Sequence, residues 1–249
     1  MLNQLENMST KREKRMNYTL YIGNKNYSTW SMRPWVVMKH FQIDFTEHLV
    51  RFDSFAPDSV FKQTILPLNP YGTVPVLIDD DLIVSDSLAI CEYLAEQHPE
   101  LALWPQDYKA RARARSIVAK MHNGYNHIRR HLPMNIEAVL PETGQIILRD
   151  FPDVKQEIDF LDQHLSSFLA VSQGPFLFGK FSIADAFYAP MCLRLKGFQI
   201  HTSAVLTNYI NALCANEAVA AWIAQALEEK DFIAMDEPYR IKRQKNLNI

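Results

Sequence analysis

Cysteine is scarce in this chain. Its 249 residues hold three, Cys91, Cys192 and Cys214. They are far apart, odd in number and not arranged as C-x-x-C, which excludes a disulfide framework and fits a reducing, cytoplasmic compartment. Charge of one sign is also lacking. A net charge of -2 leaves no basic excess to drive counterion release from nucleic acid, and no attraction to an anionic membrane. No apolar run approaches the roughly 20 residues of a membrane span, and the polar, basic start lacks the apolar stretch of a signal peptide. The eight histidines show no ligand spacing such as H-E-x-x-H, so no metal site is expected.

What is present suffices for one large domain or two ordinary ones: 48% apolar and 22% charged residues. The first half alternates. Strand patterns fall at 18–23 (YTLYIG), 45–51, 75–79 and 82–84, and helical patterns at 30–41, 57–66 and 86–97. Pro34 is expected near the first turn of its helix, where a missing N–H costs nothing. His98, Pro99 and LALWPQD break the pattern. Beyond them no strand is expected. Helices are read at 107–131, 152–172, 183–196, 204–215 and 217–229. A mixed sheet followed by helices reads as an α/β domain joined to an all-α domain. The expected division is a disordered leader at 1–16 (Met8 or Met16 being alternative starts), a first domain at 17–97, a linker at 98–106, a helical domain at 107–235 and a tail at 236–249.

Two stretches carry chemistry. In TVPVL, residues 73–77, Pro75 opens a strand after a turn. If the Val74–Pro75 bond is cis, the Val74 N–H and C=O face outward and can pair with an extended peptide. In SDSLAI, residues 85–90, Ser85, Asp86 and Ser87 are N-cap types at a helix start. Such a start attracts a carboxylate through free N–H groups; capping alone also accounts for them. Ser182-x-x-Asp185 has the form of a capping box and is assigned a structural role. Arg111, Arg113 and Arg115 read as a solvated basic face, bordering a binding cleft at most. Trp104, His122, Tyr125 and His127 suit a pocket lining or the core equally.

Together, a turn, V-P on a strand, and an acidic residue with Ser at a helix start resemble the glutathione transferase family over about residues 17–235. The resemblance implies a thioredoxin-like N-terminal domain, a helical C-terminal domain, glutathione as cosubstrate, a small electrophilic second substrate and a homodimer. It implies that Val74, beside Pro75, pairs with the cysteinyl backbone, that Ser87 takes the γ-glutamyl carboxylate, and that Asp86 faces the γ-glutamyl amine. The region NYSTWSMRPW, residues 26–35, is similar to the serine-using bacterial and zeta-like branches, with Ser28 five residues before Arg33. Ser28 is the implied catalytic residue, hydrogen-bonded to the glutathione sulfur at a helix N-terminus. Thr29 and Ser31 are rivals and Tyr27 a weaker one. The zeta-class Ser-Ser-Cys run is replaced by Ser28, Thr29 and Trp30, which counts against a maleylacetoacetate isomerase. The absence of cysteine there counts against thiol–disulfide exchange. The implied activity is transfer of glutathione to an electrophile, with isomerisation, peroxide reduction or a non-catalytic binding module as alternatives.

Overall fold

Period-two burial builds the first strand, β1 (Tyr18–Ile22), whose Tyr18, Leu20 and Ile22 are buried. A computed structural model describes residues 17–54 and 56–243; the expected leader at 1–16 and tail residues 244–249 lie outside the described residues. After β1 come α1 (Thr29–His40), β2 (Phe45–Leu49), α2 (Val60–Ile65), β3 (Val76–Asp79), β4 (Leu82–Ser85) and α3 (Ser87–Gln97). The sheet order is β2-β1-β3-β4, with β1 parallel to β2 and the other pairs antiparallel. This is a thioredoxin-like βαβαββα arrangement. Leu20, Ile22 and Leu77 share the core with Trp35, Val36 and Ile90. A smaller cluster of Val50, Phe52, Phe61, Ile65 and Val76 supports α2.

The second half is helical: α4 (Tyr108–Asn123), α5 (Asn126–His131), α6 (Pro141–Asp150), α7 (Pro152–Leu169), α8 (Ile183–Gly197), α9 (Ala204–Ala215) and α10 (Glu217–Glu229). Two isolated bridges near Phe176–Lys180 are its only β pairings among the described residues. In α8 every residue from Ile183 to Leu195 is buried. At its start, Asp185 Oδ2 accepts from the Ser182 N–H (2.9 Å) and hydroxyl (3.0 Å), and Oδ1 accepts from the Leu177 N–H and the Tyr209 hydroxyl, each at 3.0 Å. The Ser182–Asp185 pair thus ties α8 to its surroundings.

Three expectations are corrected. The single helix at 107–131 is two, because Tyr125 adopts left-handed backbone (φ 58°) after Gly124. Helix α6 goes unread in the sequence. Pro34 is the sixth residue of α1, not in its first turn, so the Trp30 carbonyl loses its i+4 donor.

The halves are bolted together beside the first loop. Lys25 is buried between the rings of Trp35 and Trp222, pairs with Glu47, and accepts the Trp222 indole N–H on its carbonyl at 3.0 Å. Asn26 Nδ2 donates to Asn135 Oδ1 at 3.0 Å. Arg115 makes two 3.0 Å bonds to Glu92, joining α4 to α3, and Arg111 donates to the Pro105 and Gln106 carbonyls. Two of the three basic-face arginines are therefore braces.

Candidate active site

The loop from Gly23 to Ser28 is buried throughout and held on both sides. Asn24 Oδ1 accepts the Phe52 N–H at 2.7 Å, its Nδ2 donates to Asp231 at 2.7 Å, and its carbonyl accepts the Ser28 N–H at 2.8 Å. Ser28 therefore stands at the start of α1 in a fixed place. Its side chain makes no capping bond. Instead its hydroxyl lies 2.7 Å from that of Ser31, which also accepts the Gly23 N–H at 3.2 Å.

Ser28 lines a cavity of about 340 Å³ with Thr29, Trp30, Val74, Arg129 and Arg194. A second cleft of about 360 Å³ adjoins it, lined by Asn69, Val74, Pro75, Asp86 and Ser87. Trp30, Thr73 and Val74 line both. The two spaces form one groove running from Ser28 past Val74 to the start of α3.

Val74 enters this groove from a turn shaped by Gly72, which sits at φ +60° and whose carbonyl accepts from Lys62 Nζ at 2.7 Å. The Val74–Pro75 bond is cis. Among the described residues the Val74 N–H and C=O make no hydrogen bond, so they are available to a ligand.

At the far end, Asp86 is the N-cap of α3, its φ at 88°. Its Oδ1 accepts from the Leu88 N–H (2.8 Å) and the Ala89 N–H (3.2 Å), while Oδ2 lies 3.2 Å from His122 Nε2. Burial lowers the His122 pKa, Asp86 opposes that, and Arg33 and Arg129 add to it. Ser87 is fully buried, and its hydroxyl oxygen accepts from Arg33 Nη1 at 3.2 Å. With a guanidinium on one lone pair, the Ser87 hydrogen is left to donate into the groove.

Ser28, Val74, Pro75, Asp86 and Ser87, all expected at the site from the sequence, are brought by the fold to this groove. Among the rivals, Thr29 shares the cavity with Ser28, Ser31 is buried beneath it, and the Tyr27 hydroxyl is spent on Glu237 at 2.7 Å. Trp104 and His127 lie elsewhere, the one bonded to Glu92 and the other beside Asp153. Two arginines, Arg129 and Arg194, emerge only from the structure, and they join Arg33 of the sequence motif. Arg33 is buried, its guanidinium 4.0 Å from the Trp30 ring centroid; Arg129 stands 5.2 Å from the same ring; and Arg194 is buried on α8. An arginine within the apolar run MCLRL is the one sign of this in the sequence. Among the described residues no cluster of three or more His, Cys, Asp or Glu side chains is arranged to hold a metal, and no helix is long and apolar enough to cross a membrane.

Comparison with known proteins fits this geometry. The family model for the glutathione S-transferase N-terminal domain matches residues 27–97, and that for the C-terminal domain matches 109–225. The chain belongs to the glutathione S-transferase family. Among its relatives is the maleylacetoacetate isomerase of Rattus norvegicus, 32% identical over 161 residues, covering 64% of this chain and 71% of that one. A stringent starvation protein A homolog of Pasteurella multocida is 24% identical over 178 residues, covering 70% and 72%. The crystal structure of a glutathione transferase homolog from Sulfitobacter with bound glutathione has a TM-score of 0.62. It is 25% identical to this chain and covers 84% of it and 97% of its own. As a member of the glutathione S-transferase family, this chain carries the family's two domains, and the Ser28 end of the groove is lined from both.

Proposed function

We propose that the chain binds glutathione in this groove and activates its thiol for attack on a small electrophile. The carrying observation is that Ser28 and Ser87 stand at opposite ends of a groove whose middle, Val74, offers an unpaired backbone N–H and C=O. An extended tripeptide fits that pattern by strand-like pairing at its centre and carboxylate binding at one end. Ser87 would hold the γ-glutamyl carboxylate, and Asp86 the amine through whichever oxygen faces it. Ser28, at the N-terminus of α1, would stabilise the thiolate over the thiol. The nucleophile belongs to the cosubstrate, and the protein supplies orientation and electrostatics. In transfer, the thiol proton passes to solvent and the thiolate sulfur bonds to the electrophilic carbon, either as that carbon's bond to a leaving group breaks and the group departs with the electron pair, or as the π pair of an activated double bond shifts to the neighbouring atom, which then takes up a proton.

A second reading is favoured by the identity with the rat isomerase. A thiolate that adds to a double bond, allows rotation and is then eliminated isomerises its substrate without consuming glutathione. Both readings use the same residues. In solution the chain is proposed to be a cytoplasmic homodimer, which sedimentation at micromolar concentration reads as twice the chain mass.

Calorimetry with glutathione tests the binding claim. Ser87→Ala removes a charge-assisted hydrogen bond of about 1.5–3 kcal/mol, which is about tenfold or more in affinity. Unchanged affinity in a folded variant would place the carboxylate elsewhere.

A further inference from the structure

Arg129 and Arg194 bring two guanidiniums to one side of the groove, Arg33 lies buried behind it against Ser87 and Trp30, and among the described residues none of the three forms an ion pair with a carboxylate. Each is instead braced by neutral groups. Arg129 Nε donates to the Gly124 carbonyl at 2.8 Å and Nη2 to that of Met121. Arg194 Nη1 donates to the carbonyls of Leu132 (2.6 Å) and Arg129 (3.4 Å), and its Nε is buried with no partner. Arg33 Nε and Nη2 are likewise buried and unpartnered. The nearby acids are engaged or unsuited. Asp86 caps α3, Glu157 accepts the Ile128 N–H at 2.9 Å, and the Asp236 carboxyl has its pKa raised by burial beside Glu237.

Burying a cation without a counter-charge is costly, and leaving several together more so. Burial is the largest cause lowering the pKa of both Arg33 and Arg194, and their mutual repulsion with Arg129 adds to it. Such an arrangement is completed by an anion. Arg129 and Arg194 both line the cavity that holds Ser28, on the wall contributed by the helical domain. Trp30, packed against Arg33 and Arg129, fixes the orientation of that wall. We propose that Arg129 and Arg194 bind a carboxylate of the second substrate, so that the electrophile accepted by this chain is an organic acid. The inference rests on reading the adjoining cleft as the glutathione site.

The test uses two conjugates of equal size, S-(2-carboxyethyl)glutathione and its amide, S-(2-carbamoylethyl)glutathione, together with glutathione itself. Binding to the full chain is followed by calorimetry and by quenching of Trp30, 36% exposed and the one exposed tryptophan among the described residues. The acid is expected to bind about tenfold more tightly than the amide, the scale of one charge-assisted hydrogen bond. Arg129→Gln and Arg194→Gln should each shrink that gap to about threefold or less by weakening the acid alone. The wild-type gap decides the matter even if Arg194→Gln, which loses its hold on Leu132, fails to fold. Equal affinity for acid and amide, with glutathione still bound, would overturn the anionic subsite and leave the glutathione reading standing. If the variants weaken acid, amide and glutathione alike, the arginines serve a carboxylate of glutathione and the inference fails. No binding by any of the three would remove the glutathione reading and this inference with it.

Discussion

Ser28 Oγ lies 2.7 Å from Ser31 Oγ, and Ser31 Oγ accepts the Gly23 N–H at 3.2 Å. In the free chain Ser28 donates to Ser31, which holds the Ser28 hydroxyl in the cavity wall; a thiolate bound there is the stronger acceptor and draws that hydrogen to itself. Ser31 is a positioning residue in this scheme.

Ser31→Ala should therefore shift the pH dependence of kcat/KM upward and lower turnover, with KM for glutathione little changed. It should also cost about 1–3 kcal/mol of stability, since the buried Gly23 N–H loses its acceptor. A pH profile identical to wild type would reduce Ser31 to a structural part.

Asp86 has two tasks that one substitution separates. Asn caps a helix about as well as Asp, so Asp86→Asn should keep the Leu88 and Ala89 bonds and change stability by less than about 0.5 kcal/mol. It removes the negative charge proposed to face the glutathione amine. Affinity for glutathione should fall several-fold, measured by calorimetry; an unchanged affinity with unchanged stability would mean that Asp86 only caps.

The strands of the first domain are legible from alternation because one face of each meets a core, as with Tyr18, Leu20 and Ile22. Helix α8 is legible from Ser182 and Asp185 followed by an apolar run. Other features depend on tertiary context. No spacing rule marks Tyr125 as left-handed, so the break between α4 and α5 is hidden. Helix α6 contains Gly144, a poor helix former, where an added Cβ would meet the Phe198 carbonyl oxygen at 2.4 Å. Close packing favours that glycine, and helix propensity does not reveal it. In the site, Ser28, Val74, Asp86 and Ser87 follow from a local motif. Arg129 and Arg194 are distant in sequence, and only the packing of α5 and α8 turns them into the same cavity.

His122 makes the fold sensitive to acid. Its pKa is lowered, chiefly by burial, so the folded chain binds this proton less readily than the unfolded chain does. Stability from this group is fully present above the unfolded value near 6.5 and declines as pH falls below it. Thermal melts taken from pH 7.5 down to about 5 should show a loss that is smaller in His122→Gln. Parallel curves for the two proteins would contradict this.

Glutathione bound in the groove is proposed to be held as a thiolate favoured by Ser28. A free thiol titrates near 8.5, and one pKa unit is about 1.4 kcal/mol, within reach of a single hydrogen bond to the charged form. The direct measurement is the thiolate absorbance of the glutathione complex as a function of pH, in wild type and in Ser28→Ala. Bound to the wild type, the thiol should titrate below free glutathione. In Ser28→Ala it should move back up by about one unit while glutathione still binds through Val74, Asp86 and Ser87. A bound thiol that titrates alike in both proteins would contradict it and turn attention to Thr29.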